Sequence, residues 1–270
     1  RNEAIIRRTL LPIAQTYTLS ESKTEDDLRE YYRMQFPSAT SDKIELLLTK
    51  SDGSFLYASE IVKQIKEENL SLDDINFFPI GIYGFYNDCF SRIFDSNNED
   101  ALDYNTVKPL FELLCIEQEP TELSFLEDFL DWDEYTLKNI LSRINGLFPT
   151  KNGFIEPLHK SIIDWLTSDD MGQLFYISRK NGYKRLLAYI EDEYTNGKWH
   201  KNKYVLKYFG FVLIELKRYD RLADILSDCA LVEEMIDYFR VLFVQFFHRL
   251  LLCAFYYVNP YSKQFVTRKC

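Results

Sequence analysis

The chain is short of the residues that interrupt helices: nine glycines and eight prolines in 270 positions. It is also short of positive charge, with 32 Lys and Arg against 42 Asp and Glu, a formal net charge of -10 and a pI near 5.0. A broad, sequence-independent grip on nucleic acid or on an anionic membrane needs clustered cations, and this balance disfavours it. Three histidines, His159, His200 and His248, are widely spread with no serine or cysteine motif beside them, so no nucleophile constellation is present. Five cysteines, Cys89, Cys115, Cys229, Cys253 and Cys270, are far apart and odd in number. Neither a metal knuckle nor a disulfide framework is implied, and reduced core thiols in a cytosolic protein fit better. A GxxxxGK[ST] phosphate loop is absent, as is an acidic strand end after an apolar run, so the chain by itself cannot cradle a triphosphate with its magnesium. Arg1-Asn2-Glu3 opens no charged leader with an apolar run, so no secretory signal is expected. With no initiator Met, the chain reads as the remainder of something longer.

What is present is apolar and aromatic mass. At 46% hydrophobic and 16% aromatic residues the chain can bury a sizeable core, and its length suggests about two domains. Apolar positions recur at spacings of three and four along most of it, which predicts a mainly α architecture. The clearest helical segments run over 25–34, 41–49, 53–68, 80–94, 106–117 and 124–130. Further ones are expected over 133–144, 159–166, 173–194, 203–216, 219–226 and 231–256. Ser41 with Glu45, and Ser71 with Asp73 and Asp74, offer acceptors and negative charge at helix starts. Pro79 precedes a helix, where its missing N–H does little harm. The paired acids Asp26-Asp27, Asp73-Asp74 and Asp169-Asp170 read as caps and solvated faces rather than catalytic carboxylates.

One stretch departs from the helical period. Gly146 closes a helix and leads into Leu147-Phe148-Pro149-Thr150-Lys151-Asn152-Gly153-Phe154-Ile155, where Asn152-Gly153 is a tight-turn signal between two short apolar runs. Three helices over 106–144, a small hairpin and then a helix carrying His159 give the element order of a winged helix. Its recognition segment, between Asp128 and Arg143, holds Asp128, Asp131, Asp133 and Glu134 against only Lys138 and Arg143. Phosphate repulsion argues against DNA reading, so a protein or domain contact is expected instead. Lys198, His200, Lys201 and Lys203 form one short basic candidate, most simply a solvated helix entrance. Val241 to Val258 is nearly all apolar, but His248 and Arg249 in its middle favour a buried or partner-covered helix over a membrane span.

His159 is the leading functional candidate. Leu158, Ile162, Trp165 and Leu166 are spaced as one helix face, which puts the imidazole near a helix N-terminus at the edge of a buried stripe, where it can reach an anion held by a neighbouring domain. Lys50-Ser51-Asp52-Gly53-Ser54-Phe55-Leu56-Tyr57-Ala58-Ser59 and Phe78-Pro79-Ile80-Gly81-Ile82-Tyr83-Gly84-Phe85-Tyr86 are two further motif-like segments.

In this order the elements resemble the C-terminal part of a STAND-type signalling ATPase, the class that includes NACHT and NB-ARC proteins. The resemblance covers roughly residues 1 to 230. The Lys50–Ser59 segment looks like the one that opens a helix near the adenine, with Phe55 where the NB-ARC branch often has Pro. The Phe78–Tyr86 segment looks like the LPxGLxxxY element, with Phe78 in place of Leu and Pro79 retained. His159 aligns with the winged-helix histidine that contacts the β-phosphate of ADP and holds the inactive state, and Arg1 stands where a sensor arginine ends a strand. Residues 203–228 look like the first helical pairs of a superhelical, TPR-like arm that leads to sensor repeats, although no repeat period is visible here. The resemblance implies the end of a nucleotide-binding domain and linker over 1–24 and a helical domain over 25–98. A winged helix follows over 99–170, then an arm over 171–258 and an irregular tail over 259–270. It implies cofactor contacts at His159, Arg1, Phe55 and Pro79, ADP or ATP with Mg in the intact parent, no catalytic residue in this chain and a cytoplasmic setting. Its implied partners are its own nucleotide-binding domain, further copies on activation and a protein ligand through missing sensor repeats, with neither nucleic acid nor membrane. The competing expectation is a nucleotide-independent helical interaction scaffold that docks a partner through Tyr204, Tyr208, Phe209 and Phe211; burial of those rings would return them to the core.

Overall fold

A computed structural model describes residues 21–67, 69–95, 101–117, 119–169, 174–200 and 202–238. Arg1, the apolar run from Val241 to Val258, the tail after it, Lys201, and Cys253 and Cys270 lie outside the described residues. The protein is mainly helical with one small antiparallel sheet, and its chain divides into two compact units after Arg92.

The first unit is built from α1 (Glu21–Gln35), α2 (Ser41–Ser51), α3 (Phe55–Lys66), a 3-10 turn (Leu72–Phe77) and α4 (Gly81–Phe94), whose last turn passes the division. Leu28, Tyr32 and Phe36 recur at intervals of four and turn one face of α1 inward. Ile44 and Leu47 do the same for α2, and Tyr57, Ala58, Ile61 and Val62 for α3. The α2 cap is Thr40 rather than Ser41: its side chain accepts from the Lys43 amide, and Ser41 is already helical. Ser71 caps the 3-10 turn by accepting from the Asp73 amide. Inside the core the Tyr32 hydroxyl donates to Ser51 Oγ at 2.6 Å, and the Ser51 hydroxyl donates in turn to the Leu47 carbonyl at 2.6 Å. A buried phenol and a buried hydroxyl thereby satisfy each other.

The second unit begins with α5 (Tyr104–Leu114), capped by Asp103, which accepts from the Asn105 and Thr106 amides. There follow β1 (Thr121–Glu122), α6 (Leu123–Leu130), α7 (Glu134–Ile144), β2 (Thr150–Lys151), β3 (Phe154–Ile155) and α8 (Lys160–Leu166). The three strands pair antiparallel in the order β1-β3-β2, with Ile155 opposite both Thr121 and Thr150. The Asn152-Gly153 turn has φ of 53° and 81°, the left-handed pair that a two-residue hairpin needs. The sheet has one strand more than the hairpin read from the sequence. β1 is two residues long and carries no alternating pattern, so period-2 reading passes over it.

Three expectations for this unit change. Leu158 is not on the α8 face: its amide donates to the Leu147 carbonyl at 2.8 Å, which holds the chain extended before the helix, and its side chain is exposed. Ile162, Ile163, Trp165 and Leu166 make the buried face instead. The helix expected from 173 starts at Arg179, because the Ile177 amide donates to the Leu166 carbonyl at 2.7 Å and ties the approach to the end of α8. Last, Tyr204, Tyr208 and Phe209 are interior, at 7%, 6% and 0% exposure, and Phe211 is half-buried.

The arm consists of α9 (Arg179–Thr195), α10 (Lys203–Glu215), α11 (Tyr219–Leu226) and α12 (Cys229–Tyr238), each packed against its neighbour, with α9 also laid against α5. Gly182 makes that last contact possible, since a Cβ there would sit 2.2 Å from the Glu112 carbonyl oxygen. Beside it Arg185 Nε reaches the buried Glu112 carboxylate at 3.1 Å. The arm also locks onto α6 through rings: Tyr204 stacks on Phe125 at 3.3 Å and 11°, and Tyr189 meets Phe125 edge-on at 5.3 Å.

Candidate functional site

In the first unit the two motif segments, read separately from the sequence, meet. Asp52 and Gly53 follow α2 in left-handed conformations, φ 49° and 70°, and reverse the chain so that Ser54 can cap α3 by accepting from the Tyr57 amide at 3.2 Å. Phe55 is the first residue of α3, 44% exposed, with an edge contact to Tyr31 at 6.3 Å between centroids. Across from this turn the chain from Phe78 to Gly81 is held by three interactions. Lys50 Nζ donates to the carbonyls of Asn76 at 2.8 Å and Phe78 at 2.7 Å. The Tyr57 hydroxyl donates to the Pro79 carbonyl at 2.6 Å. Gly81, itself at φ 65°, has a hydrogen where a Cβ would lie 3.4 Å from Asp52 Oδ2.

Pro79 is therefore fixed by its carbonyl and half-buried, while Ile80 and Tyr83 beside it are exposed. Burial pushes the Tyr57 hydroxyl far above the usual phenol range, which keeps it a neutral donor. Lys50, Asp52 and Tyr57 were not singled out individually from the sequence, although all three sit within the quoted motif. Only the fold reveals that Lys50 and Tyr57 clamp a segment some twenty-five residues further on, with Asp52 against Gly81 beside it.

In the second unit His159 is the N-cap of α8 rather than its first helical residue. Its Nδ1 accepts from the Ser161 amide at 3.1 Å and lies 2.7 Å from Ser161 Oγ. A nitrogen that accepts from an amide carries no proton, so the neutral ring holds its proton on Nε2. The side chain is exposed, and the arrangement gives a preset N–H donor at the surface. Because α8 has only seven residues and its Ser161 amide is already used, the donor is the imidazole and not the helix terminus. Phe55 and Pro79 belong to one unit and His159 to the other.

Other candidates resolve into ordinary chemistry. In the basic candidate His200 pairs with Glu234 at 2.7 Å, Lys198 with Glu193 at 4.0 Å and Lys203 with Glu122. On α7 Asp133 caps the helix through the Thr136 amide, and Lys138 is paired with Glu134. Of the acidic pairs, Asp26 binds Arg29 at 2.8 Å and Asp73 binds Lys43 at 2.6 Å. Burial raises the Cys89 thiol to about 11 and the Cys115 thiol to about 12, so both are inert at neutral pH, while Cys229 is exposed. Among the described residues no group of three or more His, Cys, Asp or Glu is placed to hold a metal ion, and no helix is long and apolar enough to cross a membrane.

One group that the sequence does not advertise stands out at the junction of α5, β1 and α10. Glu117 is largely buried, and burial raises its carboxyl to about 7, with the Tyr208 hydrogen bond and Lys207 and Lys203 pulling the other way. Nothing in Cys115-Ile116-Glu117 marks it, because its environment is supplied from α10, some ninety residues later. Compared with known proteins, the chain matches no family model, no curated protein and no solved structure.

Proposed function

We propose that the chain is the regulatory part of a STAND-type signalling ATPase, in which a helical domain, a winged helix and an arm close over a nucleotide-binding domain and hold its ADP. The observation that carries this reading is the order α5-β1-α6-α7-β2-β3-α8, ending on a histidine whose Nε2–H is exposed and preset by the Ser161 amide. Bound ADP would supply an anionic phosphate, and a surface imidazole donor fits that anion without further rearrangement. The cluster of Asp52, Gly81 and the Pro79 carbonyl lends independent support, since it brings the turn before Phe55 and the segment of Pro79 together.

The mechanism is a switch. Contacts of His159, Phe55 and Pro79 with the nucleotide-binding domain favour the closed arrangement, and their loss allows rotation and assembly of several copies. Such a shift needs differential contacts in the two arrangements, which these residues would provide. The arm links the switch to a sensor that binds a protein ligand, in a cytosolic setting, with no nucleic acid read through the acidic segment from Asp128 to Glu134. Catalysis, where the parent has it, belongs to the nucleotide-binding domain.

The test is to join the chain to a compatible nucleotide-binding domain and follow the release of ADP. Release that is slower with the chain than without it is expected; equal release overturns the reading. The competing scaffold reading is weakened by the burial of Tyr204, Tyr208 and Phe209, the rings it relied on for docking.

A further inference from the structure

The arm carries a groove of about 480 Å³ where α9 faces the end of α10, open to solvent along one side. Lys180, Lys184, Leu187 and Glu191 line it from α9 at positions i, i+4, i+7 and i+11, so one helical face supplies most of the wall. Leu216 and Arg218 close it from the end of α10 and the start of α11. Its charge is one-sided. Glu191, the one acid in the wall, is held by Arg221, with Nε at 2.9 Å from Oε1 and Nη2 at 2.6 Å from Oε2. None of the ion pairs or hydrogen bonds among the described residues involves the side chains of Lys180, Lys184 or Arg218. Two lysines at i and i+4 repel each other, and among the described residues neither is held in an ion pair. Three cations without an ion pair among the described residues thus surround an apolar floor in a chain of net charge -10.

We propose that this groove binds an acidic segment of a partner protein, its carboxylates on Lys180, Lys184 and Arg218 and an apolar side chain on Leu187 and Leu216. An enclosed cavity would suit a small molecule, which buries most of its surface; an open groove walled by one helix suits an extended peptide. Arg218 adds the planar fork that carboxylates pair with in bidentate fashion, and the Arg221–Glu191 pair keeps the wall from repelling the incoming acids. The site is independent of any nucleotide switch, and its test needs none.

The experiment is fluorescence anisotropy of the full chain with a short labelled peptide alternating Glu with Leu, beside the same peptide with Gln for Glu. Saturable binding of the acidic peptide alone is expected, and it should weaken as salt rises beyond ~0.1 M, where charges are screened over about 10 Å. Lys184→Glu with Arg218→Glu should weaken it by about tenfold or more, whereas Lys63→Glu, a charge reversal on an exposed lysine of the other unit, should leave it within about twofold. Circular dichroism checks folding, and Lys184→Gln with Arg218→Gln reads the same loss without introducing repulsion. Absent binding, equal binding of the Gln peptide, equal loss in Lys63→Glu, or capture of a single-stranded oligonucleotide in place of the peptide would each overturn the proposal.

Discussion

The Tyr208 hydroxyl donates to Glu117 Oε2 at 2.6 Å, while Glu117 Oε1, buried beside it, has no hydrogen-bond partner among the described residues, and neither does the buried Thr121 Oγ1. A carboxylate so placed is largely shielded from solvent and has one donor. Tyr208 in turn is pushed far above the usual phenol range, first by burial and then by the negative charge of Glu117. The pair sits where the end of α5 meets α10, with Lys203 and Lys207 as nearby cations and Glu119 as a nearby anion.

The pH dependence follows from the direction of that shift. Glu117 titrates near 7 in the folded protein against an ordinary 4.5, so the folded state binds its proton more tightly than the unfolded state does. The stability this contributes is fully present below 4.5 and is lost as pH rises through 7. Chemical denaturation of the wild type and Glu117→Gln at pH 5 and pH 8 reads it directly. The wild type should lose on the order of 2 kcal/mol more than the variant between those pH values. Parallel losses in both proteins would mean that Glu117 is ionised and solvated throughout.

The contact of α9 with α5 depends on a missing methyl. Gly182→Ala places a Cβ against the Glu112 carbonyl, where backbone and not a flexible side chain must yield. The variant should lose about 1–3 kcal/mol in urea unfolding despite the better helix propensity of alanine. A gain in stability would show that the two helices do not approach as closely as this.

The rings that join α10 to α6 should act together. Tyr204→Ala and Phe125→Ala are each expected to cost about 3 kcal/mol, and the double variant less than their sum, because the two stack on each other. Additive losses in a double-mutant cycle would make the stacking incidental.

Tyr57→Phe removes the donor to the Pro79 carbonyl and nothing else. It should cost about 1 kcal/mol and speed amide exchange around 78–84, while the α1–α2 pair stays protected.

How much of this was legible in the sequence differs from element to element. The helix over 219–226 and the Asn152-Gly153 turn follow from local signals alone, periodicity in one and left-handed turn chemistry in the other. The Thr40 cap was missed by one residue, because Thr40 and Ser41 are equivalent as capping chemistry and only the backbone angles distinguish them. β1 was invisible, since a two-residue strand acquires its identity from pairing with Ile155 and Phe154. Phe55, Pro79 and His159 were found as motif residues, yet the clamp of Lys50 and Tyr57 on 76–79 and the environment of Glu117 are products of tertiary approach. The aromatic run from Tyr204 to Phe211 reads equally as surface or core; α6 and α9 packing over it makes the difference.

The central claim is that His159 holds a nucleotide phosphate, and the most direct measurement is the dissociation rate of a fluorescent ADP from a nucleotide-binding domain joined to this chain. A hydrogen bond to a charged group is worth roughly 1.5–3 kcal/mol, so His159→Ala should release ADP about tenfold faster or more. Ser161→Ala, which keeps the amide that sets the ring tautomer, should change the rate far less. Unchanged release from His159→Ala would contradict the account.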